Sequence, residues 1–208
     1  KKLVEEKTKF HPRSQAVELD IMQEAARREL IGKASLVISM MPPALHILIA
    51  KDCIAYGKHL LTASYVDEET RKMDAAAKEK GLLFLCEMGL DPGIDHMSAM
   101  KLFDEIRSKG GSITSFKSHC GGLVAPESDN NPWHYKISWN PRNILLAGKA
   151  GAVYKENGKE ITEKYEDLFN DQRSVDTGND AIGFLSYYPN RNSLSYIDLY
   201  QLHEAETF

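Results

Sequence analysis

Three short apolar runs, LVISMM (Leu36 to Met41), LLTA (Leu60 to Ala63) and LLFLC (Leu82 to Cys86), constrain this chain more than any other feature. Each has the length of a strand and little polar alternation, the pattern of strands covered on both faces in a parallel sheet. Helical segments separate them. One runs from Ala44 to Tyr56, after Pro42-Pro43 and before Gly57; the other runs from Glu68 to Lys80, with Asp67 as its cap and Gly81 as its stop. Strand, helix and strand joined by a few residues require right-handed crossovers and a parallel sheet. Upstream, Lys1 to Lys9 reads as a helix end stopped by His11-Pro12. Gln15 to Leu19 then reads as a short strand entering Asp20, and Ile21 to Leu30 as a helix ending at Gly32.

The third run ends in a turn rich in chemistry. In EMGLDPGIDH, Gly89, Pro92 and Gly93 enforce a fixed turn, and from Asp95 the spacing of Met97, Met100, Phe103 and Ile106 predicts a helix stopped at Gly110-Gly111. Ligands of open α/β sheets bind beyond the carboxyl ends of the strands, which puts Glu87, Asp91, Asp95 and His96 where chemistry is expected. Asp95 and His96 fit a helix cap and a packed ring as well as they fit catalysis. Asp91 is the stronger candidate, because its loop is rigid and needs no cap from it.

Residues 1–95 therefore read as the later part of a Rossmann dinucleotide-binding domain. No GxGxxG occurs in the chain, and Gly121-Gly122 lacks the strand and helix that would make it a phosphate loop. The expectation is an incomplete Rossmann domain without its first strand, glycine loop and second strand; a small complete α/β binding module is the alternative. After Gly111 the character changes. Ile113 to Cys120 reads as a strand, GGLVAPESDNNP as a loop, Trp133 to Trp139 as alternating aromatics, and the stretch around Asn157-Gly158 as a hairpin with that pair at its tip. Residues 96–208 are expected to form an α+β substrate domain, giving an α/β fold class for the whole.

A net charge of -4 excludes the basic footprint of a nucleic-acid binder, and no span is long and apolar enough for a membrane. The N-terminus has no signal-peptide pattern, and Cys53, Cys86 and Cys120 are widely spaced, which points to reduced thiols in the cytoplasm. No histidine shows metal-ligand spacing, so no metal is expected. A nucleotide domain followed by a loop-rich domain suits a dehydrogenase, with Met40 to Pro43, Ser64-Tyr65 and Glu87 to Gly93 at the strand ends lining the cofactor cleft. Tyr65 suits hydrogen bonding to a ring or plain packing. Arg142 and Arg191, in turns beside Pro and Asn, suit capture of a carboxylate or simple solvation. Cys120 suits proton transfer or inert packing.

Longer strings carry a resemblance. ASYVDEE (Ala63 to Glu69), EMGLDPGIDHMSAMK (Glu87 to Lys101), SHCGGLVAPESDNNPWHYKISWNPRN (Ser118 to Asn143), YPNRNS (Tyr188 to Ser193) and HEAETF (His203 to Phe208) resemble successive blocks of the glutamate-forming saccharopine dehydrogenases, also called saccharopine reductases. The resemblance implies NADP as cofactor and interconversion of saccharopine with glutamate and 2-aminoadipate 6-semialdehyde in lysine metabolism. It implies Ser64, Tyr65 and Asp91 at the junction of cofactor and substrate, and Ser138-Trp139 near the cofactor. Leu19-Asp20 falls at the adenine end, Met40-Met41 beside the cofactor, and Arg191 on a substrate carboxylate; saccharopine carries three carboxylates, so the second domain is expected to supply cations, with Arg142 as a further candidate. Among these, Asp91 is the first candidate for proton transfer, Cys120 the second, and Tyr65 a group that polarises nitrogen. Pro43, His119 and Val124 depart from the eukaryotic pattern, which resembles a bacterial branch. The other readings are an NADP oxidoreductase acting on another amino-acid or polyamine imine, and a non-catalytic Rossmann-like module. A homodimer is compatible with either enzyme.

Overall fold

The computed structural model describes residues 2–8, 11–137, 148–171 and 173–208. The chain divides into two compact units, Lys1–His96 and Met97–Phe208.

The first unit is built on strands β1 (Leu36–Ser39), β2 (His59–Thr62) and β3 (Phe84–Leu85), paired in parallel in that order. Helix α1 (Lys2–Thr8) comes first and α2 (Glu24–Lys33) precedes β1. Helix α3 (Pro43–Tyr56) connects β1 to β2, and α4 (Glu68–Arg71) with α5 (Asp74–Glu79) connects β2 to β3. Parallel strands taken in sequence order with right-handed crossovers carry their helices on one face. The apolar core lies on that face: Ile31, Ile49, Ala50, Cys53 and Leu60, with Val37, Met73 and Phe84 packed against them. The opposite face is open, with Leu36 44% and Ile38 64% exposed and Leu85 also exposed. The expectation of strands covered on both faces is corrected accordingly, for the described residues cover only one.

Other boundaries move for local reasons. Gln15–Leu19 forms no strand, and Val17 is exposed, with no strand of the described residues paired to it. Asp20 instead makes a turn, its Oδ1 accepting the Met22 N–H at 2.9 Å, so α2 starts at Glu24 rather than Ile21. Gly32 lies inside that helix. The expected single helix from Glu68 to Lys80 is two, interrupted at Lys72-Met73, and Asp67 caps the first by accepting the Thr70 N–H at 2.7 Å. The third strand is two residues long.

Beneath the helices lies a charged knot. Asp52 in α3, 1% exposed, accepts from Arg27 Nε at 2.6 Å and from Arg28 Nε at 2.8 Å, and Arg27 is itself buried. Burial pushes the Asp52 carboxyl up, but hydrogen bonds from Arg28 and Arg27 and their charges outweigh it and hold the group below its ordinary range.

The second unit gathers around α6 (Ile94–Ser108), which begins in the first. Ala99 and Phe103 pack with Tyr200, Leu202, Ala205 and Phe208, and Phe116 stands edge-on to Phe103 at 4.9 Å between ring centres. Ile113 to Cys120 is not a strand. It runs as a single extended segment joined by one bridge, Ser115 to Thr207, because Ile113 and Phe116 are drawn into that aromatic core. The expected hairpin is present as β4 (Ala152–Glu156) and β5 (Lys159–Glu163), with Asn157 and Gly158 at φ 51° and 76°, the left-handed pair that such a tight turn requires. Strands β6 (Arg173–Asp176) and β7 (Phe184–Tyr187) form a second hairpin, and β8 (Arg191–Asn192) pairs in parallel with β4. Trp133 lies in a turn, and the alternation reaches residues beyond those described. A short helix, α7 (Ile197–Tyr200), leads to the C-terminal segment.

Candidate functional site

In the first unit the carboxyl ends of β2 and β3 are laced together. The Glu87 N–H donates to Ser64 O at 3.1 Å and the Met88 N–H to Thr62 O at 3.0 Å. Glu87 then adds a side-chain tie, its Oε1 accepting the Val66 N–H at 3.0 Å while Oε2 lies 3.3 Å from His96 Nε2. Its backbone is left-handed, at φ 58°, a costly conformation for a residue with a Cβ that persists only where the surroundings fix it. The lacing brings Tyr65 and Asp91 together: the Tyr65 hydroxyl donates to Asp91 Oδ1 at 2.7 Å, with both side chains accessible to solvent.

The loop under Asp91 is closed by its own backbone. Gly89 N–H donates to Pro92 O at 2.8 Å and Ile94 N–H to Gly89 O at 2.9 Å, and the Asp91–Pro92 bond is cis. Asp95, expected as cap or catalyst, accepts the Gly93 N–H at 2.6 Å from the first turn of α6 and so secures this loop. Gly93 has φ 151°, and a Cβ there would stand 2.1 Å from Gly89 O. Gly93→Ala is therefore expected to destabilise the protein by about 2 to 4 kcal/mol, through backbone strain plus overlap. Gly81→Ala, left-handed at φ 64° but with open space around its Cβ, should cost only about 1 to 2 kcal/mol. Urea midpoints of the two variants check this, and equal losses would count against the overlap.

Two further groups join the strand ends. Ser39, ending β1, and Ser64, beyond β2, are bridged by His46 of α3: Ser39 Oγ lies 2.8 Å from Nδ1 and Ser64 Oγ 2.8 Å from Nε2. Burial pushes the His46 imidazole below its ordinary pKa, with the Asp67 carboxylate pulling the other way. Sequence reasoning missed Ser39 and His46. A signal was present, since each is a polar residue inside an apolar run, LVISMM and ALHILIA.

The remaining candidates are spread along the chain. Met40 and Met41 follow β1, Met40 being 76% exposed, and Leu19-Asp20 lies in the turn before α2. Cys120, exposed, and Arg191, opening β8, belong to the second unit. Ser138, Trp139 and Arg142 lie outside the described residues. Among the described residues no group of three or more His, Cys, Asp or Glu could hold a metal ion, and no helix is long and apolar enough to cross a membrane.

The strand ends suit a dinucleotide: they carry an exposed apolar side chain at Met40, hydroxyls at Ser64 and Tyr65 and a carboxylate at Asp91, with the β2 and β3 ends held together by backbone bonds. Comparison with known proteins agrees. Residues 1–85 match the family model described as the saccharopine dehydrogenase NADP binding domain, and residues 89–208 that described as the saccharopine dehydrogenase C-terminal domain. The chain is 40% identical over 200 residues to a saccharopine dehydrogenase (NADP(+), L-glutamate-forming) of Schizosaccharomyces pombe, covering 94% of this chain and 43% of the relative. It is 41% identical over 193 residues to an alpha-aminoadipic semialdehyde synthase of Arabidopsis thaliana, covering 93% of this chain and 18% of that protein. A solved structure of apo histidine-tagged saccharopine dehydrogenase (L-Glu forming) from Saccharomyces cerevisiae superposes with a TM-score of 0.85 at 36% identity, covering 98% of this chain and 45% of that one. The chain thus spans less than half the length of these relatives.

Proposed function

The chain belongs to the saccharopine dehydrogenase family, and on that premise we propose that it serves an NADP-dependent, glutamate-forming saccharopine dehydrogenase in lysine metabolism. Residues 1–95 would carry the cofactor and 96–208 the substrate. The observation that supports this most is the Tyr65–Asp91 hydrogen bond at 2.7 Å, set at the ends of parallel strands where α/β enzymes work.

In this reading saccharopine, a secondary amine, loses a hydride from the carbon beside nitrogen, and water then splits the resulting imine into glutamate and 2-aminoadipate 6-semialdehyde. The hydride acceptor is supplied by bound NADP. Met40 and Met41 would lie along it, Leu19-Asp20 at its adenine end, Ser64 and Tyr65 at its junction with the substrate, and Ser138-Trp139 near it. Asp91 takes the proton released at nitrogen and later manages the proton of the attacking water. Tyr65, donating to Asp91, orients that carboxylate, and Cys120 is the second candidate for proton transfer. Saccharopine brings three carboxylates, and Arg191, with Arg142, meets them as cations.

Arg191 carries a testable consequence. Its N–H is fixed to Gly151 O at 3.1 Å, while its residue remains exposed. Arg191→Ala should raise KM for saccharopine about 10- to 100-fold, the worth of a charged hydrogen-bonded pair, and change kcat by less than about 3-fold. Steady-state kinetics check it; a lower kcat at unchanged KM would remove the role.

Three widely spaced cysteines, Cys53, Cys86 and Cys120, with no CxxC among them, support a cytoplasmic setting. A homodimer is part of the proposal, tested by molar mass in solution. The deciding experiment follows saccharopine-dependent NADP reduction by absorbance, with NAD in parallel, in protein expressed from its gene. Turnover with glutamate release supports the reading. A folded protein that binds NADPH without turnover points to another imine as substrate, and one that binds no cofactor overturns the enzyme.

A further inference from the structure

Helix α3 does more than connect β1 to β2. Its His46, 6% exposed, stands outside the apolar core and touches a hydroxyl at the end of each strand it joins, Ser39 (2% exposed) through Nδ1 and Ser64 through Nε2. A neutral imidazole has one donor and one acceptor nitrogen, so one serine must give its proton to the ring and the other must receive one. The direction at Ser39 therefore dictates the direction at Ser64. With the proton on Nδ1, Ser64 donates inward and presents only lone pairs outward. With the proton on Nε2, Ser64 receives it and its own proton is free to point outward. An imidazolium would donate at both ends, and burial opposes that state.

We propose that His46 is a positioning residue, which through the chain Ser39–His46–Ser64 sets whether the Ser64 hydroxyl offers a proton or a lone pair at the carboxyl end of β2. The inference rests on the reading in which Ser64 meets the cofactor, but the hydrogen-bond chain can be examined without it. Asparagine places an amide where Nδ1 stands and glutamine reaches the place of Nε2. His46→Gln thus keeps the tie to Ser64 and loses that to Ser39, and His46→Asn does the reverse.

Expressed from its gene, the protein should bind NADPH about 10-fold more weakly as His46→Asn, the effect of one lost hydrogen bond, and about 3-fold more weakly as His46→Gln, whose amide still meets Ser64 but no longer takes its direction from Ser39. Fluorescence titration reads the affinity and calorimetry the unfolding midpoint. If the two variants lose affinity equally, or neither does, the role is merely structural and the proposal falls. Long-range nitrogen–proton NMR of the His46 ring provides the arm that needs no ligand. One fixed tautomer, with the Nε2 signal displaced in Ser64→Ala, supports the proposal even if the parent binds no NADPH, a result that would overturn only the cofactor reading. A mixture of tautomers, or an Nε2 signal unmoved by Ser64→Ala, overturns it.

Discussion

Replacing Asp52 by alanine is expected to destabilise the first unit by about 3 to 5 kcal/mol. The loss far exceeds that of an exposed ion pair such as Lys33 with Glu29, whose attraction is screened by water and salt. The difference is burial. Arg27 cannot be deprotonated, it is 5% exposed, and without Asp52 the one side-chain hydrogen bond left to it among the described residues is to Ile21 O at 2.6 Å. A charge held away from water with half its partners removed is the costly case. The pH dependence follows from the depressed Asp52 carboxyl. A carboxyl lowered in the folded state contributes stability that is present above its unfolded value, near pH 4, and is lost as pH falls through the folded value. Calorimetry from pH 7 to pH 2 should show the parent converging on Asp52→Ala in acid. Parallel curves would show that the ion pair does not titrate with folding. Replacing Arg27, Arg28 and Asp52 together by apolar residues of similar volume should cost much less than the single change, because no orphaned charge remains.

The second large effect is catalytic. Asp91→Ala is expected to lower kcat by about 100- to 10,000-fold, the range for loss of a group that moves protons in the transition state. Stability should change by less than about 0.5 kcal/mol, since Asp91 is exposed. Tyr65→Phe should cost about 10-fold, because it removes only the hydrogen bond that orients Asp91. The double variant should be close to Asp91→Ala alone, for residues acting as a unit do not add. Multiplying effects in the double variant would show that Tyr65 and Asp91 act separately. An Asp91→Ala enzyme with nearly full kcat would transfer the proton role to Cys120.

How much of this was legible depends on what each residue answers to. The runs at Leu36, Leu60 and Leu82 announced a parallel sheet through their short apolar strings set between helices, though the same strings overstated its burial, since Leu36, Ile38 and Leu85 are exposed; the Asn157-Gly158 tip was legible because backbone geometry is written in glycine and asparagine. Gln15–Leu19 misled, since a strand exists only with a neighbour and its letters cannot supply one. The break at Lys72-Met73 was hidden by good helix formers on both sides. In the site, EMGLDPGIDH marked the loop that holds Asp91, and the strand-end rule brought Tyr65 to it. The Ser39–His46–Ser64 chain left only a faint mark, polar letters inside the apolar runs LVISMM and ALHILIA, and the pairing itself, like the Asp52 knot, depends on residues from separate elements meeting, which no local pattern records. Ile113–Cys120 shows the converse, a strand-like string taken instead by an aromatic core.

The left-handed backbone at Glu87 has a consequence for anyone who would evolve this protein. Glycine there would relax the chain by about 1 kcal/mol and forfeit the carboxylate's ties to Val66 and His96. A screen for heat resistance alone would have reason to accept that exchange, whereas a screen for turnover would reject it. Position 87 is thus one at which the two kinds of selection should part company, and the residue recovered there would reveal which had been applied.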